Sequence, residues 1–549
     1  MKAKMIRRLM SVAAMAAASL AVPAVAATGP VVDAPAGQVE GKVAKGMRIF
    51  KGIPYAAAPV GPLRWKPPQP AASWQGVRDA SKFGAACPQP KARGPSIYAW
   101  DLPEMSEDCL SLNIWAPEDA KNAPVFVWIH GGSLTTGSGG DPLYDGSALA
   151  ARGMIVVSIN YRLGALGYLA HPALSAESAN GVSGNYGLLD QIAALGWVQR
   201  NIAAFGGDAG NVAIAGESAG ALSVMYLMTA PEARGLFHKA IAQSAYMVSA
   251  PALREKRNGM IPAEEQGVDL ATKLGATDLA DLRTMSAEEI VNMASTSGYF
   301  PSPVIDGKVV PRQLVETFDR NEQAPVPILA GFNAGEIRSL RFLLPKAPDD
   351  AAAYEAAIRK NYGEFADAYL SRYPGKNIDE SMLAATRDAM YGWTSERLVS
   401  NQAALGQPAY LYFFDHAYPA TQQWKLHAFH AAELPFVFDT AGKTPPLWPK
   451  IPDKLAQHRL IDALGDYWAS FVRDGRPQAD DQPDWLPYSE DKSFMHFAEK
   501  PEVRRNLLSG TAALHEAVVC RRRAAGDIAW NWNVGVISPP LPPKAEGCQ

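Results

Sequence analysis

Gly216-Glu217-Ser218-Ala219-Gly220 is the most informative segment of this chain. It directly follows the apolar run at residues 212–215 and precedes residues 221–228, where apolar side chains recur at helical spacing. A serine between glycines at a strand-to-helix turn is held in a strained conformation with its hydroxyl exposed, and bulky neighbours would clash there. The N-terminus of the helix that follows favours negative charge developing beside it. Ser218 is therefore a candidate nucleophile.

Apolar runs of strand length alternate with helical patterns along much of the chain. The strand-like runs cover residues 125–129, 154–157, 212–215, 327–330 and 410–414, and a long helical pattern covers residues 188–202. Strands that are apolar throughout and separated by helices predict a mainly parallel sheet with helices on both faces. Helical stretches at 262–295 and 351–391 are expected to be insertions above the sheet that shape a pocket. We therefore predict an α/β fold in one large domain, although 549 residues alone would favour about three.

The first 26 residues have the pattern of a cleaved export signal. A basic segment is followed by an apolar run at residues 9–22 and by the small-x-small site Ala24-Val25-Ala26. The alternatives are a cytosolic helix and a retained anchor. We expect residues 27–549 to form the mature domain, in the periplasm or outside the cell. Because no later apolar run approaches 18 residues, no membrane span is expected.

Composition excludes several kinds of partner. The formal net charge is −3, which provides no basic field for nucleic acid or an anionic membrane. The cysteines are even in number, as in many disulfide-bonded exported proteins, and free buried thiols are the alternative. Four cysteines allow three pairings, of which the local one would close two short loops: Cys87 with Cys109, and Cys520 with Cys548. Since no Cys/His cluster has metal-binding spacing, neither a metal nor a cofactor is expected.

Several segments resemble the type-B carboxylesterase family, which includes the cholinesterases. Phe205-Gly206-Gly207-Asp208 through Gly220 is similar to the family's serine signature, and residues 107–115 are similar to its second signature, with Ser111 in place of the usual aromatic or Thr. The resemblance extends from about residue 50 to about residue 488. It implies the α/β-hydrolase fold and a serine hydrolase that cleaves small-molecule carboxylic esters through an acyl-enzyme. The oligomeric state stays open.

The segment Trp128-Ile129-His130-Gly131-Gly132-Ser133 is the candidate oxyanion hole. Acyl transfer needs backbone N–H groups aimed where the carbonyl oxygen becomes negative, and glycines let the backbone approach closely. The resemblance assigns Gly132 and Ser133 as two donors, although the family usually has a glycine where Ser133 stands. Ala219, which follows the candidate nucleophile, supplies another donor. An ordinary glycine turn is the alternative.

The catalytic acid is expected after the serine and before the base, as in other α/β-hydrolases. The segment Gly331-Phe332-Asn333-Ala334-Gly335-Glu336 resembles the family's G-x-N-x-D-E-G and assigns Glu336 this role. Gly335 replaces the family's Asp, and Ile337 replaces its last Gly. Asp306 is the competing carboxylate and is better interpreted as a turn residue.

Three histidines compete for the role of the base. His416 lies nearest the end of a strand-like run, and His427 lies three residues before His430. The segment from His430 to Phe438 resembles the family's H-G-x-E-L-x-F-V-F, with Ala431 in place of Gly, so we predict His430. An unperturbed imidazole protonates near pH 6.5, and activity is expected to fall below about that pH.

Trp100 and Glu217 are candidate substrate-binding residues. Trp100 lies between Cys87 and Cys109, near the place of the cholinesterase tryptophan that holds the choline cation, although we favour a loop aromatic packed on the surface. The family resemblance also implies the Cys87–Cys109 disulfide, whereas Cys520–Cys548 rests on parity and proximity.

Other functions are weighed against a general carboxylesterase. Some relatives of the family lost the serine and serve as adhesion or receptor modules, but this chain has a serine, an acid and a histidine in the expected order. A lipase, an esterase of mycotoxin side chains and a choline ester hydrolase stay open, because pocket shape decides the substrate.

Overall fold

The computed structural model describes residues 29–91, 94–102, 104–531 and 534–548. The predicted export signal at residues 1–26 lies outside these ranges. Within them, no helix has both the length and the apolar character needed to cross a bilayer.

The strands form two sheets. The described residues contain these strands: β1 (Val31–Ala34), β2 (Gly37–Glu40), β3 (Lys42–Ala44), β4 (Met47–Pro54), β5 (Val77–Asp79), β6 (Ser111–Pro117), β7 (Ala123–Ile129), β8 (Ile155–Ile159), β9 (Gly207–Glu217), β10 (Lys239–Gln243), β11 (Ile328–Asn333), β12 (Ala409–Phe414), β13 (Ser493–Phe497) and β14 (Pro501–Arg505). A small sheet has the order β1-β2-β5, and a large one has the order β14-β13-β12-β11-β10-β9-β7-β8-β6-β4-β3.

The middle of the large sheet is parallel. Every neighbouring pair from β8 to β13 runs parallel, and the pairs at the two ends of the sheet are antiparallel. The predicted mainly parallel sheet is therefore confirmed for its centre, with antiparallel strands added on both sides. Because parallel strands end at the same edge, the loops after β7, β9, β11 and β12 can converge there.

Helices cover both faces of this sheet. They are α1 (Ser147–Ala150), α2 (Gly164–Tyr168), α3 (Pro172–Glu177), α4 (Tyr186–Asn201), α5 (Ala219–Thr229), α6 (Ala263–Leu274), α7 (Leu279–Thr284), α8 (Ala287–Ser297), α9 (Leu314–Asp319), α10 (Ala351–Tyr362), α11 (Ala366–Arg372), α12 (Ile378–Arg387), α13 (Trp393–Ala404), α14 (Pro419–Gln423), α15 (Leu434–Val437), α16 (Leu455–Asp474) and α17 (Thr511–Ala525). A π-helical turn, Asp388–Gly392, joins α12 to α13.

Strand β7 shows how the sheet separates two cores. Val127 and Ile129 belong to the apolar cluster on the face that carries α4 and α5. Phe126 and Trp128, which alternate with them, belong to the cluster on the face that carries α16. Since alternate residues of a strand point to opposite faces, a continuous apolar run is what a strand buried on both faces requires.

The two predicted insertions differ in what they pack against. Helices α6, α7 and α8 form a satellite cluster around Trp65 and α2. Helices α10, α11 and α12 form a second cluster rich in tyrosine. The π turn that ends the second insertion brings Tyr391 against the ring of His430, with the ring centroids 5.4 Å apart. Only this contact links an insertion to the candidate base among the described ring pairs.

Two disulfides tie loops and a terminus to the fold. Cys87 is joined to Cys109, and Cys520 is joined to Cys548. The first closes the segment that contains Trp100, and the second fastens the C-terminal segment to α17.

Candidate active site

Ser218 lies on a strained turn between β9 and α5. Its backbone has φ 57° and ψ −121°, and its N–H donates to the carbonyl of Gln243 at the end of β10, 2.9 Å away. A Cβ on Gly216 would overlap the backbone of Gly220, and one on Gly220 would overlap the carbonyl of Ile129. Both glycines of G-x-S-x-G are therefore required by close backbone packing.

The loop after β7 packs directly against this turn. A Cβ on Gly131 would lie 2.8 Å from the carbonyl oxygen of Glu217 and 3.2 Å from Cβ of Ser218. Gly132 has φ 100°, and its carbonyl accepts hydrogen bonds from the N–H groups of Thr135 and Thr136, which close the loop. Ser133, at φ 55°, adopts the left-handed conformation without being a glycine.

Three N–H groups at this loop and turn have no protein acceptor. Those of Gly132, Ser133 and Ala219 donate no hydrogen bond to any residue in the described part of the chain. Backbone N–H groups without a protein acceptor, gathered beside one serine, can stabilise a developing oxyanion.

Glu336 lies three residues beyond the end of β11 and is fully buried. Its Oε1 accepts hydrogen bonds from Ser244 Oγ at 2.6 Å and from the N–H of Asn333 at 2.8 Å. Its Oε2 is bonded to Nδ1 of His430. The competitor Asp306 instead accepts from Asn185 and from backbone N–H groups of its own turn.

His430 is the histidine whose Nδ1 is hydrogen-bonded to this carboxylate. Its Nε2, on the other side of the ring, lies 3.1 Å from Oε1 of Glu217. His416 instead packs against Phe436 and lies 3.5 Å from the Gln457 amide. His427 is 42% exposed and faces Asp415. Of the three candidate bases, the fold thus brings His430 to Glu336.

The charges around His430 alter its protonation. Burial lowers the pKa of its imidazole, but the carboxylates of Glu217 and Glu336 outweigh burial and raise the pKa above its usual range. Burial, together with the nearby Glu433 and Glu336, raises the pKa of Glu217. The expected loss of activity below about pH 6.5 assumed an unperturbed imidazole, and the raised pKa of His430 instead predicts that the loss begins at higher pH.

A buried polar network that sequence reasoning missed lies beside the candidate acid and the candidate base. The carboxylate of Glu433 accepts hydrogen bonds from the amides of Gln243, at 2.9 Å, and Asn333, at 2.6 Å. Burial raises its pKa. Asn333 also donates to the carbonyl of Phe429, next to the base. Glu433 stands inside the quoted motif that begins at His430, so the signal was present, but the partners come from β10 and β11.

The predicted substrate-binding residues occupy different surroundings. Glu217 is buried and faces the imidazole of His430, as described above. Trp100 is partly buried and packs against the apolar cluster that contains Phe429 and Trp448. Among the described residues, no group of three or more His, Cys, Asp or Glu is arranged to hold a metal ion.

Comparisons with known proteins agree with this geometry. The model of the carboxylesterase family matches residues 28–514. The chain is 36% identical over 482 residues to a fumonisin B1 esterase of Sphingopyxis macrogoltabida, covering 84% of this chain and 85% of that protein. It is 35% identical over 480 residues to a para-nitrobenzyl esterase of Bacillus subtilis (strain 168), covering 84% of this chain and 94% of that one.

Solved structures of similar proteins have the same fold. The structure of a Geobacillus stearothermophilus carboxylesterase at pH 6.2 is similar with a TM-score of 0.76 and 34% identity, covering 88% of this chain and 99% of that one. A PNB esterase is similar with a TM-score of 0.76 and 32% identity, covering 89% of this chain and 99% of the other. The α/β-hydrolase fold, the strained serine turn and the extent of these matches together show that this chain belongs to the carboxylesterase family and is a serine hydrolase of carboxylic esters.

Proposed function

We propose that Ser218, His430 and Glu336 are the nucleophile, base and acid of this carboxylesterase. The observation that carries the proposal is the hydrogen bond between Nδ1 of His430 and the buried carboxylate of Glu336, next to the strained turn of Ser218. A carboxylate on Nδ1 fixes the tautomer that leaves Nε2 free to accept a proton and stabilises the imidazolium that results.

The reaction then proceeds through an acyl-enzyme. Nε2 of His430 takes the proton of the Ser218 hydroxyl as Oγ bonds to the ester carbonyl carbon. The tetrahedral intermediate collapses as the C–O bond to the alcohol breaks and His430 returns the proton to the leaving oxygen. Water then bonds to the acyl carbon as the same imidazole takes its proton, the bond from Oγ to that carbon breaks, and His430 returns the proton to Oγ, which releases the carboxylic acid and restores Ser218.

The free N–H groups stabilise the charge of both tetrahedral intermediates. We assign Gly132, Ser133 and Ala219 as the donors, because none of the three has an acceptor in the described part of the protein. Only the backbone of Ser133 is used, which is why a serine can stand where the family has glycine. Loss of one such donor commonly costs about 10²–10³ in rate.

Covalent labelling and three matched histidine variants test the assignment. A fluorophosphonate should add to Ser218 in the parent protein and should not add to Ser218→Ala, as measured by intact mass. His430→Ala should lose nearly all turnover, whereas His416→Ala and His427→Ala should keep at least about a tenth of it, because only one imidazole can reach Oγ. Labelling of Ser218→Ala, or parent-like turnover by folded His430→Ala, would refute the triad.

We propose a broad small-ester substrate range and keep a specialised ester as the alternative. The supporting relatives have nearly equal identities but names that refer to different esters, namely fumonisin B1 and para-nitrobenzyl esters. A panel of p-nitrophenyl esters of increasing acyl length, with choline esters beside them, separates the two. Comparable kcat/KM over several chain lengths supports a broad range, and a preference above a hundredfold for one ester supports specialisation.

We also propose that the protein is exported and cleaved after Ala26. The basic and apolar segments before Ala26 support this, and two disulfides are typical of proteins in oxidising compartments. N-terminal sequencing of the mature protein should begin at Ala27. Retention of Met1 in protein recovered from the cell would contradict export through this segment.

A further inference from the structure

Tyr98 joins the loop that carries the candidate base to the loop that carries the candidate acid. Its hydroxyl oxygen lies 2.9 Å from the carbonyl oxygen of His430 and 2.7 Å from Oγ of Ser339. Ser339 follows the short 3-10 turn that begins at Glu336. Tyr98 itself belongs to neither loop, since it comes from the segment closed by the Cys87–Cys109 disulfide.

The chemistry of these groups fixes the direction of the hydrogen bond to His430. A carbonyl oxygen can only accept, so the single phenolic proton of Tyr98 is donated to the carbonyl of His430. The hydroxyl of Ser339 has two acceptors within reach, the phenolic oxygen of Tyr98 at 2.7 Å and the carbonyl oxygen of Glu336 at 3.5 Å, and the shorter contact is the one with Tyr98. Burial raises the pKa of Tyr98 well above its usual range, so its proton is present throughout the working pH range.

Tyr98 donates the third of three hydrogen bonds to consecutive carbonyl groups on the loop that carries the candidate base. The carbonyl of Ala428 accepts from the N–H of Gly335 at 2.7 Å, and that of Phe429 accepts from the amide of Asn333 at 2.9 Å. The third consecutive carbonyl, that of His430, accepts from Tyr98. The first two donors come from the strand and loop that lead to Glu336, so Tyr98 is the donor that adds a third segment of the chain.

Packing holds the phenol in place for this role. The ring of Tyr98 lies against Trp448, with centroids 6.0 Å apart in an edge-to-face arrangement, and against Phe429, with centroids 6.4 Å apart. These contacts place the ring independently of its hydroxyl, so Tyr98→Phe can remove the hydrogen bonds and keep the packing.

We infer that Tyr98 is a positioning residue for catalysis, which holds the backbone of His430 and the loop after Glu336 in the relative geometry that proton transfer needs. The inference rests on the proposed triad. Tyr98 does not touch the reacting atoms; it acts through the placement of His430. A displacement of the order of 1 Å in a catalytic group can cost about a hundredfold in rate, so one lost hydrogen bond here can matter.

The test compares Tyr98→Phe with Tyr299→Phe in the full-length protein. Tyr299 makes a hydrogen bond of the same kind, from its hydroxyl to the carbonyl of Tyr168 at 2.9 Å, and makes it outside the candidate site. With p-nitrophenyl acetate, Tyr98→Phe should lower kcat about tenfold with KM changed less than twofold. Tyr299→Phe should leave kcat within twofold while lowering the thermal midpoint similarly. A parent-like kcat in Tyr98→Phe overturns the inference.

Ser339→Ala provides a second, milder variant. It removes the donor to Tyr98 and leaves the bond to His430, so kcat should fall at least twofold, and the double variant should fall no further than Tyr98→Phe alone. Multiplied losses in the double variant, or an unchanged kcat in Ser339→Ala, overturn the inference even if Tyr98→Phe folds poorly. Failure of Ser218 labelling or full activity of His430→Ala would refute the triad itself, and these controls do not involve Tyr98.

Discussion

The imidazole of His430 lies between two carboxylates that affect it in different ways. Glu336 is bonded to its Nδ1 and orients the ring. Glu217 lies 3.1 Å from its Nε2, the atom that accepts the proton of Ser218 in the proposed mechanism. The second carboxylate therefore influences how readily the base loses its proton without being part of the triad.

Replacing Glu217 tests this influence through the pH dependence of kcat/KM. Only neutral imidazole can accept the serine proton, so activity is lost as pH falls through the pKa of His430, which lies above 6.5 in the parent. Glu217→Gln removes a negative charge that stabilises the imidazolium, so this pKa decreases and the acidic limb moves to lower pH. Glu288→Gln, which alters an exposed carboxylate, should leave the limb in place. An acidic limb at the same pH in Glu217→Gln would contradict this influence, because it would mean that Glu217 is already protonated in the parent and has no negative charge to lose.

Ala431 offers a stability test beside the base. It has φ 67°, a conformation that costs a residue with a Cβ about 1–2 kcal/mol, and it stands where the family has glycine. Ala431→Gly removes that cost. The glycine also makes the unfolded chain more flexible, which destabilises the folded state by about 0.4–1 kcal/mol, so the free energy of unfolding should increase by about 0.5 kcal/mol in total. Ala432→Gly, at a neighbour without positive φ, should decrease it. Equal destabilisation by both variants in urea unfolding would contradict this explanation.

At the scale of elements, the serine turn and the oxyanion loop are two parts of one packing arrangement. Gly131, Gly216 and Gly220 are all at positions where a Cβ would meet backbone or the other loop. Their contacts fix the distance between Ser218 and the free N–H groups. The G-x-S-x-G pattern is recognisable along the chain, but Gly131 and Gly220 are required by the contact between the two loops, because a Cβ on either would meet the backbone of the other segment.

The disulfide-closed segment makes a prediction at the same scale. Replacing both Cys87 and Cys109 by Ala should lower the free energy of unfolding by about 2–5 kcal/mol and should also lower kcat, because the segment carries Tyr98. Replacing Cys520 and Cys548 by Ala should cost comparable stability with kcat retained below the unfolding temperature. Activity assays well below both midpoints distinguish the two pairs. Equal kcat in the two double variants would contradict the prediction that the Cys87–Cys109 disulfide supports kcat by holding the segment that carries Tyr98.

At the scale of the whole molecule, sequence patterns did not predict the outer strands of the sheet or the central strand β10, which lies between β9 and β11. The apolar runs identified β7, β8, β9, β11 and β12, which are buried on both faces. Strand β10 was missed because Lys239–Gln243 is short and has polar ends, although all five residues are buried. The outer strand β14, with burial on fewer positions, carries charged side chains and has no continuous apolar run.

Features that depend on neighbours along the chain could be predicted before the fold was known. The G-x-S-x-G turn was predicted from a short motif at a strand-to-helix junction. The candidate oxyanion donors Gly132 and Ser133 and the preference for Glu336 over Asp306 came from resemblance to segments of the family. The local cysteine pairs follow because short loops bring their ends together easily.

Which distant groups come into contact, and what charge surrounds each of them, became clear only from the folded chain. Glu336 and His430 are 94 residues apart, and Tyr98 and His430 are 332 residues apart. Those contacts depend on the order of strands in the sheet, which a local pattern does not encode. The raised pKa of His430 has the same origin, because it arises from burial and from carboxylates that separate strands and loops bring to one point.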